Sequence, residues 1–478
     1  MEANEYRTER DSLGEKEVPR HAYYGVQTER ALENFPITHL RLSSHVIQAL
    51  GVVKKSAAQA NRDVGLLNDE KARAIIRASE EVIAGEFDEQ FIVDPIQGGA
   101  GTSLNMNANE VIANRALEIL GEQKGAYHLV SPMSDVNMSQ STNDVIPTVN
   151  RLAIIKMSAL LLDEIDQLKQ SFVRLSKQFH ETIKIGRTHL QDAIPIRLGQ
   201  EFSAYSEVLH RDFERIGQSL ESFYEINMGG TAVGTGLNAN LEYIEKVAEY
   251  LRENSSLPFA TANHLIDATQ HTDAYTSLSA MLNICMTNIS KIANDIRLMA
   301  SGPKAGLSEI HLPPRQPGSS IMPGKVNPVM PEVVNQVAFR VSGNNHTVHL
   351  SSEAGQFELN VMEPVLTHHL MDSIQVMSNV FRVFRLYCVD GITANESELA
   401  KKLEQSLGVV TAINPHIGYE KASEVAKEAY ATNRSVREVC IEKGFLTAEE
   451  IDQILEPKGM TSPGISAHEL IVKRSDKK

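Results

Sequence analysis

Four long apolar stripes run through the middle of the chain, and they constrain its fold more than any other feature. In each stripe, apolar residues recur at steps of three and four, the spacing of one face of an α-helix. The stripes run from Ile154 to Phe179, from Phe202 to Phe223, from Leu278 to Met299 and from Leu366 to Cys388. A fifth helix is predicted from Pro331 to Leu350, with the proline in its first turn. Five long helices joined by Gly-rich or Pro-rich connections predict an all-α protein with a long central helical bundle.

The 478 residues are too many for one compact core and suggest two or three domains, and the pattern along the chain favours a division into three. These are a mixed, mainly helical domain at residues 1–140, the bundle at 141–398 and a small helical domain at 399–478. Helices of the first domain are expected near residues 44–60, 69–85 and 104–120. In the last domain, Thr447 and Glu450 form a capping-box pattern, which predicts that a helix begins there.

The length of the bundle helices bears on association. At the rise of an α-helix, each is about 40 Å long or more. One bundle of such helices would leave long apolar sides uncovered, and association of several copies would cover them. We therefore expect a homo-oligomer.

The charge balance narrows the classes of partner. The chain has 46 Lys and Arg residues against 61 Asp and Glu residues, a formal net charge of −15. This disfavours nucleic acid and anionic membranes as partners, and an anionic substrate would need a locally positive site.

We expect no membrane span, because no apolar run approaches roughly 18 residues. Residues 1–7 lack a signal-peptide pattern, and Cys285, Cys388 and Cys440 are too few for a disulfide framework. A cytoplasmic protein with reduced cysteines is expected.

Polar islands rich in glycine and hydroxyl residues interrupt the apolar pattern. The first, Gly98–Ser103, precedes a helix and suits either an anion-binding nest of N–H groups or a simple N-cap. The second, Ser139–Asp144, opens a long helix with six polar residues, more than one N-cap needs, and the surplus donors suit a carboxylate. The third, Gly186–Asp192, contains His189, which could be a general acid, a carboxylate-binding donor or a structural residue.

The fourth island, Gly318–Pro328, is a loop with two glycines, two prolines, two adjacent serines and one lysine. A phosphate-binding loop is excluded, because five residues rather than four separate the glycines and Val326 follows Lys325. A serine-hydrolase elbow is excluded because no G-x-S-x-G occurs. A reactive serine here would need activation by backbone N–H groups and by the Lys325 charge. The glycines could serve as hinges of a lid.

Two further kinds of site are disfavoured. His368 and His369 lie in a helical stretch without a zinc-protease context, as do His346 and His349, so no metal site is expected. The glycine-rich run at residues 229–238 lacks the third glycine of a dinucleotide fingerprint, and no strand precedes it. We interpret this run as a tight connection between two helices that could lie close to a ligand.

The fourth island also fits a longer pattern, G-S-x-x-M-P-x-K-x-N. The matching residues are Gly318, Ser319, Met322, Pro323, Lys325 and Asn327. This ten-residue pattern is highly specific, and through it the chain resembles the aspartase/fumarase superfamily. The resemblance extends over roughly residues 8–465 and includes the segments Leu13–Pro19, Glu33–Pro36, Ser141–Asp144 and Gly186–His189.

Within this superfamily the chain resembles the branch that eliminates ammonia from aspartate more than the class II fumarases. Thr142 stands where a fumarase is expected to carry serine, and Asn327–Glu332 resembles the first branch where fumarases tend to carry Thr-Gln. Alternatives are a fumarate hydratase, a lyase acting on argininosuccinate or adenylosuccinate, and a non-catalytic helical scaffold. The first 140 residues resemble the argininosuccinate and adenylosuccinate lyases much less, and the presence of Ser319 and Lys325 argues against a scaffold.

The resemblance implies a three-domain all-α fold and a homotetramer with active sites shared between subunits. It implies reversible deamination of the dicarboxylate L-aspartate to fumarate, through C3 proton abstraction and an aci-carboxylate intermediate, without cofactor or metal. Ser319 is implied as the base, acting as an alkoxide. The implied substrate-binding donors are Thr102, Ser141, Thr142, Asn143, Thr188, His189, Ser320, Lys325 and Asn327. Related lyases use the position of His189 as an acid, but we expect it to bind substrate because ammonia can leave without a strong acid.

Overall fold

The computed structural model describes residues 5–475, without the side chains of residues 473–475, and is built mainly from helices. This confirms the predicted all-α class. The helices and strands are, in chain order, β1 Tyr6–Asp11, β2 Gly14–Pro19, α1 Val26–Asn34, α2 Ser44–Asp63, α3 Asp69–Ile83, α4 Thr102–Ile119, α5 Thr142–Gln178, β3 Ile183–Thr188, β4 Gln191–Arg197, α6 Leu198–Leu220, β5 Glu225–Ile226, α7 Leu241–Ser255, β6 Ala260–Thr261, α8 Leu265–Gln270, α9 Asp273–Met299, β7 Ile310–His311, α10 Val329–Glu353, α11 Glu363–Tyr387, β8 Thr393–Ala394, α12 Glu396–Gln405, α13 Val410–Ile417, α14 Tyr419–Thr432, α15 Val436–Glu442, α16 Ala448–Ile454, α17 Pro457–Met460 and α18 His468–Ser475.

The strands of the described residues pair into four separate two-stranded sheets. Strands β1 and β2, β3 and β4, and β7 and β8 are antiparallel, whereas β5 and β6 are parallel. The apolar periodicity of the chain did not predict them. Two-stranded sheets of this length bury too little apolar surface to leave a clear pattern of alternation.

The chain forms two compact units. The first unit contains the described residues up to 163, residues 212–286 and residues 337–379; the second contains residues 164–211, residues 287–336 and the described residues from 380 onward. The five longest helices, α5, α6, α9, α10 and α11, contribute residues to both units. The three-domain division at residues 140 and 398 stays a prediction.

The predicted apolar stripes are buried, and the predicted helices are confirmed. The residues that begin and end the four stripes are all less than a tenth exposed. In the second unit the ring of Phe172 packs against Phe202 at 6.1 Å and Tyr205 at 5.6 Å between centroids. Burial of each such side chain contributes about 1.5–3 kcal/mol. The fifth helix begins at Val329, so Pro331 lies in its first turn as predicted.

The C-terminal part of the second unit has its own small core, which includes Val425, Val439 and Ile451. The predicted capping box at its α16 helix is confirmed: Thr447 Oγ1 accepts from the Glu450 N–H at 3.2 Å, and Glu450 Oε2 accepts from the Thr447 N–H at 3.0 Å. Such caps stabilise a helix start by about 1 kcal/mol.

One described helix, α5, is long and apolar enough to cross a membrane, although the sequence had suggested no such segment. Its most apolar window is 78% buried inside the protein. Packing against the rest of the chain therefore accounts for its apolar character, as in the core helix of a globular protein.

The first residue of α11 makes stability depend on pH. Glu363 is fully buried, and Asn150 Nδ2 donates to it at 3.5 Å. Burial raises its pKa from 4.5 to about 7, although the nearby Arg151 opposes this. A raised pKa means that the folded state favours the protonated form. The stability that the protonated Glu363 carboxyl group contributes is present below about pH 4.5 and is lost as the pH rises through about 7.

Replacement of Glu363 by glutamine, which resembles the protonated carboxyl group, is therefore expected to flatten this part of the pH profile. The melting temperature of the variant should fall less than that of the wild type between about pH 4.5 and about pH 8. Circular dichroism melts across this range measure the difference. Equal slopes for the two proteins would show that Glu363 does not titrate in this way.

Candidate active site

The first polar island forms the start of α4. Three successive residues before Thr102 have left-handed backbone conformations, with φ of 92° at Gly99, 55° at Ala100 and 90° at Gly101. The N-cap residue is Gly101, which has no side chain, so the alternative of a simple hydroxyl N-cap is wrong. Thr102 is exposed, and its Oγ1 donates to Gly99 O at 2.6 Å. At this helix start the Thr102 N–H donates to Gly99 O at 2.9 Å and the Leu104 N–H donates to Gln97 Oε1 at 2.9 Å, so the anion-binding nest stays a prediction.

The second island caps α5 and presents three partly buried side chains. Ser141 Oγ accepts from the Asn143 N–H at 3.2 Å, and Thr142 Oγ1 accepts from Asn105 Nδ2 at 3.2 Å. Asn143 Nδ2 donates to Ala232 O at 2.7 Å. This brings Ser141, Thr142 and Asn143 together in the first unit, next to the glycine-rich run that was predicted to lie near a ligand.

A buried carboxylate organises the second island, and the sequence interpretation gave it no role. Asp144 is fully buried and accepts from the N–H groups of Ser141 at 2.9 Å, Gly229 at 3.0 Å and Thr231 at 3.0 Å. Burial raises its pKa to about 6, against the effect of these donors. Asp144 thus ties the start of α5 to the run at residues 229–238.

The third island lies in a β-hairpin of the second unit, formed by β3 and β4 between α5 and α6. Thr188 pairs with Gln191, and the turn residues His189 and Leu190 have φ of 55° and 60°. Two consecutive non-glycine residues in this region cost on the order of 1–3 kcal/mol each. Thr188 and His189 are exposed at the tip, and no side-chain hydrogen bond of His189 occurs within residues 5–475.

A buried ion cluster anchors this hairpin. Glu309 is completely buried and pairs with Arg187 at 2.6 Å and with Lys184 at 2.9 Å. Lys184 also contacts Glu201 at 3.0 Å. Burial alone would raise the pKa of Glu309, but Arg187 and Lys184 hold it below its usual value. Arg187 is therefore committed to Glu309, and loss of either partner would leave an uncompensated buried charge.

The fourth island is a loop closed on itself. The Gly318 N–H donates to Lys325 O at 2.8 Å, and Asn327 Nδ2 donates to Gly318 O at 2.8 Å. A Cβ atom at residue 318 would collide with Lys325 O, so only glycine fits there. The side-chain amide of Asn327 is thus used to close the loop.

This closed loop places backbone donors on one serine. Ser319 Oγ accepts from the N–H groups of Ile321 at 3.2 Å and Met322 at 3.1 Å. Such donors stabilise negative charge on an oxygen. Backbone N–H groups of the loop therefore contact Ser319, as a reactive serine at this position would require. Neighbouring Ser320 is exposed.

Lys325 lies on the same loop and is exposed, and its ammonium group makes no ion pair among the described residues. A cavity of about 480 Å³ runs along the loop, and its lining includes Ser319, Lys325 and Arg315. The Arg315 guanidinium lies 4.2 Å from the centre of the Tyr387 ring. Two cations beside Ser319 provide the local positive charge that the acidic chain would need for an anion.

The predicted site residues fall on the two units. Thr102, Ser141, Thr142 and Asn143 belong to the first unit, and Thr188, His189, Ser319, Ser320, Lys325 and Asn327 belong to the second. Within residues 5–475, no group of three His, Cys, Asp or Glu side chains could hold a metal ion. The expected lack of a cofactor stays a prediction.

Comparison with known proteins gives the family. A family model described as "Lyase" matches residues 14–343, and one described as "Fumarase C C-terminus" matches residues 409–462. A protein named aspartate ammonia-lyase from a Bacillus species is 60% identical over 460 residues, covering 96% of this chain and 98% of that protein. One of the same name from Bacillus subtilis is 58% identical, covering 98% and 99%.

Solved structures agree with this result. The fumarate lyase:delta crystallin from Brucella melitensis bound to cobalt has a TM-score of 0.94 at 45% identity, covering 96% of this chain and 100% of that one. The recombinant class II fumarase from Schistosoma mansoni has a TM-score of 0.92 at 34% identity, covering 96% and 99%. Since one family model spans more than half of the chain and the relatives span nearly all of it, the chain belongs to the aspartase/fumarase superfamily of lyases and, within it, to the aspartate ammonia-lyase family.

Proposed function

We propose that the chain is a carbon–nitrogen lyase that converts L-aspartate reversibly to fumarate and ammonia. The observation that carries this proposal is the 58–60% identity, over nearly the whole chain, to proteins named aspartate ammonia-lyase. Similarity to the class II fumarase is lower, at 34% identity. The loop at residues 318–328 supports an elimination that begins with proton removal.

Ser319 is the proposed base. As an alkoxide, its Oγ takes a proton from C3 of aspartate, and the electron pair of the C3–H bond moves into the β-carboxylate to form an aci-carboxylate. That pair then forms the C2–C3 double bond while the C2–N bond breaks and ammonia leaves with its electrons. The two N–H donors on Ser319 Oγ support the alkoxide, and the proton remains on Ser319 at the end.

Lys325 is the proposed partner for the charge that develops on the substrate. The aci-carboxylate carries one more negative charge than the carboxylate from which it forms, so a fixed cation stabilises it more than the ground state. Lys325 has no competing ion pair among the described residues and shares a cavity with Ser319. A volume of about 480 Å³ is ample for a four-carbon dicarboxylate.

The remaining donors are proposed to bind the substrate. They are Thr102, Ser141, Thr142, Asn143, Thr188, His189, Ser320 and Asn327. His189 is assigned to binding rather than to acid catalysis, because the substrate ammonium leaves as neutral ammonia. Its exposed position on a strained hairpin tip suits contact with a ligand.

We further propose a homotetramer in which each active site combines polar islands from different subunits. The division of the donors between two units is compatible with such sharing. The long helices also carry exposed apolar side chains, among them Leu160, Ile284 and Phe339, which a neighbouring subunit would cover. Location in the cytoplasm stays a prediction.

The direct test of the proposed reaction uses the purified enzyme with L-aspartate or L-malate as the only substrate, with fumarate followed by its ultraviolet absorbance. Fumarate is expected from L-aspartate, with a stoichiometric release of ammonia, and not from L-malate. The opposite preference would identify a hydratase, and inactivity on both would leave a different lyase or a scaffold.

A further inference from the structure

A chain of hydrogen bonds runs from the buried Lys54 to the partly buried Thr142 inside the first unit. Lys54 is completely buried in α2, and its Nζ donates to Asn137 Oδ1 at 3.0 Å and to Gln140 Oε1 at 2.9 Å. Asn137 Oδ1 also accepts from Asn105 Nδ2 at 3.1 Å. The same Asn105 amide nitrogen donates to Thr142 Oγ1 at 3.2 Å.

The lysine sets the direction of every bond in this chain. A lysine amine presents N–H donors, so the atom of Asn137 that faces it must be the carbonyl oxygen. That oxygen can only accept, so Asn105 must turn its NH₂ group toward it. The same NH₂ group faces Thr142, and therefore Thr142 Oγ1 accepts. The hydroxyl proton of Thr142 is then directed away from Asn105 and is free to donate elsewhere.

The surrounding groups support this direction. Gln140 Nε2 donates to Val136 O and Met138 O at 3.0 Å each, which keeps its oxygen facing Lys54. Asn105 Oδ1 is buried and has no hydrogen-bond partner among the described residues, so nothing there favours a flipped amide. Burial lowers the pKa of Lys54 to about 7, with Asp144 opposing the shift, but a neutral amine still has two N–H donors for the two carbonyl oxygens.

We propose that Asn105, oriented by Asn137 and Lys54, is a positioning residue that makes the Thr142 hydroxyl an obligate hydrogen-bond donor to a substrate carboxylate. This inference rests on the proposed function, in which Thr142 binds the substrate. It assigns a task to the buried Lys54 and Asn105 and to the partly buried Asn137. It also explains why the Thr142 hydroxyl, which could otherwise donate or accept, acts only as a donor to a ligand with two carboxylates.

The test compares two asparagines one turn apart on α4. Asn109 is also buried and also donates to Asn137 Oδ1, at 3.2 Å, but it makes no described hydrogen bond to Thr142. Asn105→Ala is expected to lower kcat/KM for L-aspartate about tenfold, mainly by raising KM, whereas Asn109→Ala should change it less than about twofold. Melting temperatures report the structural cost of each variant. If Asn105→Ala does not fold, Asn105→Ser, whose side chain is one bond shorter, carries the same expectation.

A double-mutant cycle with Thr142→Val isolates the proposed contact. In the Thr142→Val background, Asn105→Ala should cause no further loss of kcat/KM, because the hydroxyl that it orients is gone. Equal losses in Asn105→Ala and Asn109→Ala, or a full tenfold loss in the Thr142→Val background, would overturn the proposal. Failure of the proposed function looks different: the wild type would not release fumarate from L-aspartate, or Thr142→Val would be as active as the wild type.

Discussion

Replacement of Ser319 by alanine is expected to lower kcat for L-aspartate by about a thousandfold or more, with the melting temperature and oligomeric state unchanged. Alanine removes the proton acceptor but leaves the loop closed, because the loop is held by Gly318, Lys325 and Asn327. Ser319 is partly exposed, so its loss creates no core cavity. Initial rates of fumarate formation measure the effect.

Ser320→Ala is the matched control. It removes the same hydroxyl group from the adjacent, exposed residue, which is proposed only to bind substrate. We expect this variant to raise KM with a much smaller change in kcat. If Ser319→Ala kept near-wild-type turnover, or if both variants lost kcat equally, the assignment of Ser319 as the base would be wrong.

Replacement of Lys325 by alanine is expected to lower kcat/KM for L-aspartate by about 100-fold to 1000-fold through both kcat and KM. Its ammonium group is unpaired among the described residues and lies on a protein of formal net charge −15. Without it, the cavity loses a fixed cation for the substrate carboxylate and for the additional charge of the aci-carboxylate.

Lys304→Ala controls for the general effect of removing one positive charge. Lys304 is exposed, belongs to the same unit and lies outside the loop. It should leave kcat and KM within about twofold of the wild type, because Lys304 does not line the cavity that Ser319 and Lys325 share. An unchanged kcat and KM in Lys325→Ala would remove Lys325 from the site.

Most of the helices could be predicted from the sequence. Apolar residues at helical spacing, as in the stripe from Leu366 to Cys388, indicate the buried face of a helix. The capping box at Thr447 and the helix start around Pro331 were also predictable, since caps depend on residues close in sequence. The β3–β4 hairpin was missed because its turn, His189-Leu190, has none of the usual turn residues.

The candidate site was predicted only in part, for a related reason. Ser319 and Lys325 could be found because their motif is continuous in sequence. The residues that support the site act through distant partners: Asn137 lies 83 residues from Lys54, and Arg187 lies far from Glu309. A lysine within the apolar run of α2, and an aspartate ending the polar run at Asp144, were the available indications. The role of either residue can be inferred only once its burial is known.

The central claim, that Ser319 handles the C3 proton in an ammonia-eliminating reaction, is tested most directly in the reverse direction in D₂O. Wild-type enzyme with fumarate and ammonium should form aspartate that carries one deuterium at C3, observed by proton NMR, and Ser319→Ala should form none within the same time. Malate as the product of the wild type, or labelled aspartate formed by Ser319→Ala at the wild-type rate, would contradict the account.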